Sequence, residues 1–140
     1  MKRLHYLALI LPCVLIGFPA AAQQTPLTPQ TQGEVTFVSG GVGEDEREAM
    51  KAMRADYDLS LLFAVKGSGE YVSDVTVKIK NSSGSVCLDT VADGPMLYAK
   101  LRPGKYSISA NRDGHVIDKK VTLSGKLSTV EFAWPAESGD

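Results

Sequence analysis

Apolar and polar residues alternate along most of the chain after Leu59, in short runs that place their apolar residues on one face. Such alternation is typical of half-buried β-strands. Glycine-containing turns separate the runs, as at Pro103-Gly104, and glycine accepts the positive φ of tight turns. The predicted inward positions are Leu59, Leu61, Phe63, Val65, Val75, Val77, Ile79, Val86, Leu88, Leu97, Ala99, Leu101, Tyr106, Ile108, Ala110, Val121, Leu123, Val130, Phe132 and Trp134. About seven short strands at this spacing predict a mainly β fold, an antiparallel β-sandwich.

The apolar period changes to three and four ahead of these runs, over about residues 44–57. This spacing predicts one N-terminal amphipathic α-helix. Its apolar stripe comprises Ala49, Met50, Ala52, Met53 and Tyr57. A stripe with methionines could be a binding surface, but a short helix normally persists by packing its apolar face against a core. We expect it to dock on the second face of the first long strand, where Leu62 and Ala64 are also apolar.

A glycine-rich loop, SGGVG over residues 39–43, precedes the helix and follows a short predicted strand over residues 34–38. Such a loop can bind a phosphate through the unpaired N–H groups of a helix N-terminus. Here Glu44, Asp45 and Glu46 follow, and carboxylates in a first helical turn satisfy the helix dipole and repel a phosphate. We therefore expect the glycines to form a sharp strand-to-helix turn, and the acidic residues to stabilise the helix start.

The N-terminus has the pattern of a secretory signal peptide. Two basic residues precede an apolar run over residues 4–18, and Pro19 with three alanines follows, so we predict cleavage after Ala22. A transmembrane anchor needs about 20 apolar residues, and this run is shorter and interrupted. Cys13 lies in the middle of the run, where a lipid-modified cysteine is not expected. The protein is therefore expected in the periplasm or secreted, and not membrane-spanning after cleavage.

The rest of the chain predicts one domain. Residues 23–33 are rich in Pro, Gln and Thr and poor in large apolar residues, which predicts a mobile leader. A single β-sandwich domain that includes the helix is predicted over residues 34–135, and a polar tail over residues 136–140. The full sequence has a net charge of −1, with Lys and Arg scattered along it, so no nucleic-acid-binding surface is expected.

Few residues outside the predicted signal peptide could carry catalysis. Cys87 and His115 could form a nucleophilic pair, but an unpaired cysteine is usually a small buried apolar residue. A structural zinc site needs about four Cys or His ligands, which this part of the chain lacks. A calcium site needs about six to eight oxygens, more than Asp89 and Asp93 offer. We therefore expect no enzyme activity, no metal and no cofactor.

One segment resembles a known family. Residues 75–79 give V-x-V-x-I before a polar turn, residues 101–106 give L-x-P-G-x-Y, and Asp113-Gly114 forms a later turn. This pattern resembles the carboxypeptidase regulatory-like domain, a transthyretin-like β-sandwich, over roughly half of the chain that follows the predicted cleavage site. The resemblance implies a non-catalytic module and brings no catalytic residues. The helix and its glycine-rich loop lie outside the pattern, and resemble small exported bacterial proteins of the periplasm.

Two functions remain open. The first is a non-catalytic exported binding or structural module that associates with a cell-envelope protein, because the edge strands of a sandwich can accept a partner strand. Residues 34–38 are the expected edge, unless the leader covers them. The alternative is a carbohydrate or small-ligand binding sandwich domain, in which an exposed aromatic ring stacks on a sugar. Tyr71, Tyr98 and Trp134 are the candidates, although the alternation favours a core position for Trp134.

Overall fold

The computed structural model describes residues 27–137, so the predicted signal peptide over residues 1–22, its cleavage site and residues 138–140 of the predicted tail lie outside the described residues. The described chain forms nine β-strands, one α-helix and one turn of 3-10 helix. In order these are β1 (Gln30–Gln32), β2 (Val35–Gly40), α1 (Glu44–Met53), the 3-10 turn (Arg54–Asp56), β3 (Leu59–Val65), β4 (Thr76–Asn81), β5 (Val86–Val91), β6 (Met96–Lys100), β7 (Gly104–Arg112), β8 (His115–Leu123) and β9 (Ser128–Trp134). Among these residues, no helix is long and apolar enough to cross a membrane.

The strands form two sheets that enclose a common core, which gives a mainly β, sandwich-like fold. One sheet has the strand order β1-β2-β6-β3-β9 and the other has the order β5-β4-β7-β8. Neighbouring strands are antiparallel except β3 and β9, which run parallel from Leu59↔Ser128 to Val65↔Trp134. This corrects the prediction of a wholly antiparallel sandwich of about seven strands. β9 follows β8, which lies in the other sheet, so the chain crosses between the sheets before β9 begins. β9 is therefore not joined to β3 by a hairpin, which would have made the two strands antiparallel.

The core between the sheets contains most of the predicted inward residues. Its largest side chains are Phe63, Phe132 and Trp134, whose ring centroids lie 5.9–6.3 Å apart. Val86 is an exception to the prediction, because half of its side chain is exposed. A bulge in the pairing of β4 with β5 sets Val86 opposite the exposed Lys80, and so turns Val86 away from the core.

The helix α1 packs on the outer face of the five-stranded sheet, where a second apolar cluster forms. This cluster contains Val38, Met50, Tyr57, Met96 and Tyr98, with Leu27, Met53 and Leu62 packed against it. Leu62 thus lies in the cluster against which the helix packs, whereas Ala64, the other residue of the predicted docking face, is buried outside that cluster. Met50 is the one buried residue of α1, and Ala49 and Ala52 are exposed. The buried stripe of the helix is therefore narrower than the apolar period implied.

Residues of the predicted leader form a strand in the structure, and the predicted edge strand over residues 34–38 has neighbouring strands on both sides. Gln30–Gln32 form β1, which pairs with β2. The side-chain amide of Gln32 accepts a hydrogen bond from the Asp89 N–H (2.7 Å) and donates one to the Asp89 carbonyl (3.1 Å), which ties β1 to β5 of the other sheet. Since β6 flanks β2 on its other side, β2 is an interior strand. The leader covers this edge, which is the alternative that the sequence left open.

Candidate functional site

The two residues that could have formed a catalytic pair lie far apart. Cys87 is on β5 and His115 is on β8, which are the opposite edge strands of the four-stranded sheet. Three interstrand spacings separate these strands, or about 14 Å. The Cys87 Sγ donates a hydrogen bond to the Ser85 carbonyl oxygen at 3.8 Å. The fold therefore keeps His115 away from the thiol.

The acidic residues that could have formed a calcium loop are engaged through their backbones. The Asp89 N–H donates to Gln32, and the Asp93 N–H donates to the Ser39 Oγ at 3.1 Å. Within residues 27–137, no three side chains of the His, Cys, Asp or Glu type converge as metal ligands. The described residues thus offer no candidate metal centre.

The glycine-rich loop before α1 is bound by its own helix. The Gly41 N–H donates to Glu46 Oε1 at 2.9 Å, and Arg47 donates to the Gly41 carbonyl at 3.4 Å. Gly41 and Gly43 have φ values of 101° and 82°, which favour glycine because a Cβ is strained there. The Glu46 carboxylate thus accepts the hydrogen bond from the N–H group that a phosphate would need. The loop therefore acts as a turn.

Glu46 gives a first test of this structural role. Its replacement by alanine is expected to lower the free energy of unfolding by about 1 kcal/mol, because one hydrogen bond and one favourable helix-dipole interaction are lost. Glu44→Ala, in the same helical turn, serves as the control and should cost only a few tenths of a kcal/mol. Urea denaturation measures both values. Equal stability of Glu46→Ala and the wild type would show that the contact is not structural.

Two of the three aromatic residues that could have stacked on a sugar are buried. Trp134 is 1% exposed, and its indole N–H donates to the His115 carbonyl at 2.8 Å. Tyr98 is 2% exposed, and burial raises the pKa of its hydroxyl above the ordinary value. Tyr71 is 51% exposed, with the Arg47 guanidinium 5.0 Å from its ring centroid. Of the three candidates, Tyr71 alone presents a ring to solvent.

The sheet edges carry features that obstruct an added strand. β1 has three residues, and the Gln32 amide occupies backbone groups of Asp89 on the edge strand β5. At the opposite side of the sandwich, Lys119 of β8 donates to the Glu131 carbonyl of β9 and lies over the Phe132 ring, 5.5 Å from its centroid. Inward-pointing lysines and very short strands are devices that protect edges from pairing. A partner is therefore better accommodated on a face than along an edge.

The outer face of the four-stranded sheet is open. Register determines which side chains share it, because directly paired residues project on the same side of a sheet. The outward rows are Lys78, Ser109 and Asp118; then Lys80, Ser107 and Lys120; then Lys105 and Thr122. Each of these side chains is exposed or half-buried, and no other helix or strand in the described part of the chain covers them.

Three lysines surround Ser107 on this face, and we call Lys80, Lys105 and Lys120 the lysine cluster. Two adjoining depressions, with volumes of about 530 and about 350 Å³, share Lys80, Ser107 and Lys120 in their walls, and Lys105 lines the larger one. In the region from residue 27 to residue 137, none of the three ammonium groups forms an ion pair with a carboxylate. The face thus concentrates positive charge in solvent.

Two turns hold the ends of the strands that carry the cluster. The Tyr106 hydroxyl donates to the Arg102 carbonyl at 2.7 Å and fixes the turn that leads into Lys105. Burial is the main cause that raises the pKa of Tyr106. At the end of β4, Asn81 Oδ1 accepts from the backbone N–H groups of Ser83 and Ser85, at 3.1 and 3.0 Å. The backbone beneath the cluster is therefore well determined.

The sequence pattern did not predict this cluster. Its lysines lie on three different strands, at positions that alternate with inward residues. This alternation indicates that each lysine points outward, but it does not indicate which strands are neighbours.

No family model matches this chain, and no curated protein matches it. The open face and the lysine cluster are therefore the features of this structure that bear on function.

Proposed function

We propose that this protein is a non-catalytic, exported binding module that associates with another protein of the cell envelope through the outer face of the four-stranded sheet. Export follows from the predicted signal peptide, and the resemblance to the carboxypeptidase regulatory-like domain supports the non-catalytic class. The observation that carries the proposal is the openness of this face. The corresponding face of the other sheet packs against α1, and the described edges are obstructed.

The composition of the face suits a protein partner. Its polar centre is accompanied by Val86, Val91 and Val116, each about half exposed at 51%, 50% and 52%. Protein interfaces outside obligate complexes have this mixture of apolar and polar area. Four strands of six to nine residues span roughly 19 by 25 Å, or about 500 Å² of surface. A contact of that size falls in the range of transient complexes, so association should be weak and reversible.

A carbohydrate or small-ligand site is the second candidate function. The half-exposed ring of Tyr71 favours it, since an aromatic face in solvent can stack on a sugar. The burial of Tyr98 and Trp134 leaves this candidate with a single ring. Loss of glycan binding in Tyr71→Ala, with glycan binding present in the wild type, would support this second function over the first.

In-cell photocrosslinking tests the proposed association. A photoreactive amino acid placed at Thr76 or Thr122, both on the open face, is expected to capture one envelope protein reproducibly. The same group at Ala49, which is exposed on α1 at the other side of the domain, is the matched control and should not capture it. Capture of no protein from the open face, or equal capture from Ala49, contradicts the proposal. The intact mass of this protein, recovered from the same cells without a crosslinked partner, tests cleavage after Ala22.

A further inference from the structure

We infer that the partner presents an acidic segment, whose carboxylates bind the lysine cluster above Ser107. This inference rests on the proposed function, and it names the chemistry that the open face recognises. The site comprises the ammonium groups of Lys80, Lys105 and Lys120 together with the Ser107 hydroxyl.

The geometry allows the four groups to act together. Lys80, Ser107 and Lys120 are paired directly across β4, β7 and β8, so the two lysines flank the serine in one row. Adjacent strands lie about 4.8 Å apart, which places the backbones of Lys80 and Lys120 about 10 Å from each other. Lys105 precedes Ser107 by two residues on the same face, about 7 Å along β7. Long lysine stems can therefore converge on carboxylates held above the serine.

The electrostatics favour an anion. An ammonium group offers three donors and no acceptor, and an ionised carboxylate offers acceptors only. Because none of the described carboxylates pairs with the cluster, the three like charges repel one another across the face. An acidic partner relieves that repulsion. Charges of this exposed kind mainly raise the association rate, and their effect falls with ionic strength.

The neighbouring row favours a protein over a membrane surface or a phosphate. Lys78 and Ser109 share that row with Asp118 at one end and Asp89 at the other, so acidic groups lie next to the lysine cluster. Lipid-binding patches use about four to eight basic residues without such acids, and a uniformly anionic membrane would be repelled by both aspartates. The rows contain no arginine, the residue that binds phosphate in a bidentate manner. A folded partner can instead place carboxylates opposite the lysines and donors opposite the aspartates.

The face variant for the test is K80E/K105E/K120E, made in the full exported chain. Poly-L-glutamate is the probe for direct binding, and the wild type is expected to bind it with an affinity that falls as salt rises. The face variant is expected to bind it at least tenfold more weakly. Thermal unfolding checks that the variant is folded. If it is not, the neutral variant K80Q/K105Q/K120Q takes its place, with a smaller expected loss in the same direction.

A matched control separates local from net charge. The variant K51E/K66E/K126E changes the net charge by the same amount at exposed lysines that lie outside the open face. It is expected to bind poly-L-glutamate within about threefold of the wild type, because the screening length of about 8 Å at physiological salt confines each charge to its surroundings. Equal losses in the two variants would overturn the inference.

Photocrosslinking from Thr76, which lies outside the lysine cluster, links this test to the proposed function. Capture of the envelope protein should disappear in the face variant and persist in the control variant. If the face variant still captures the same protein at the same yield, the acidic-segment inference is wrong while the proposed function stands. If the wild type captures no protein, the proposed function fails and the inference fails with it. Binding of inorganic phosphate or anionic phospholipid vesicles as tightly as poly-L-glutamate, abolished in the face variant, also overturns the inference.

Discussion

Replacement of Trp134 by alanine is expected to lower the free energy of unfolding by about 3–5 kcal/mol, which is the cost of truncating a buried aromatic residue to a methyl group. The side chain is 1% exposed and packs against Phe63 and Phe132, with ring centroids 6.1 and 6.3 Å away. Its indole N–H also donates to the His115 carbonyl, which joins β9 to β8 of the other sheet. Truncation therefore leaves a cavity and removes a link between the sheets.

Urea denaturation followed by circular dichroism measures this loss. Trp134→Phe keeps most of the apolar volume and loses the N–H donor, so it should cost about 1–2 kcal/mol. Tyr71→Ala removes an exposed ring and is the control for aromatic truncation in general. A Trp134→Ala variant within about 1 kcal/mol of the wild type would contradict the core position of the ring. That result would also restore Trp134 as a candidate for sugar stacking.

Replacement of Gly94 by alanine is the second large effect, with an expected loss of about 2–3 kcal/mol. An added Cβ at this position would lie 2.3 Å from the Gly40 carbonyl oxygen and 2.4 Å from the Gly40 carbonyl carbon. These are backbone atoms of β2, and they cannot rotate away as the end of a side chain could. The segment between β5 and β6 would have to move away from β2, at the point where the Asp93 N–H donates to Ser39.

Gly114→Ala is the matched control for this substitution. Nothing lies within 4 Å of a Cβ at Gly114, but its φ of 90° strains any residue with a side chain. The expected cost there is about 1 kcal/mol of backbone strain, without a clash. Thermal unfolding of both variants ranks them. A smaller loss at Gly94 than at Gly114 would show that the approach of the two backbones is looser than described.

The alternation of apolar residues was enough to predict much of the core, and this prediction needed no knowledge of contacts between distant segments. Leu59, Leu61 and Phe63 project inward, as do Val77 and Ile79, because the side-chain period of a strand is a local property of the backbone. The start of α1 after the glycines was equally local, since it depends on turn-forming glycines and on acidic residues at the helix dipole. What one strand buries can thus be predicted without knowledge of its neighbour.

The candidate site was not determined in this way. The lysine cluster exists because β4, β7 and β8 are neighbours in one register, and a shift of one residue would turn the lysines of a strand toward the core. The same is true of the separation of Cys87 from His115, which depends on their strands being opposite edges of one sheet. Neither fact is contained in the sequence around those residues.

By itself, then, the sequence determined the class of most elements and, for most strands, the side that faces the core, because burial of an apolar face depends on near neighbours in the chain. The tertiary structure alone decided the parallel pairing of β3 with β9, the cover that β1 places on β2, and the approach of Gly94 to Gly40. These features join segments far apart in the chain. Pairing between such segments is selected by the packing of the whole domain, and residue types along one segment carry little information about it.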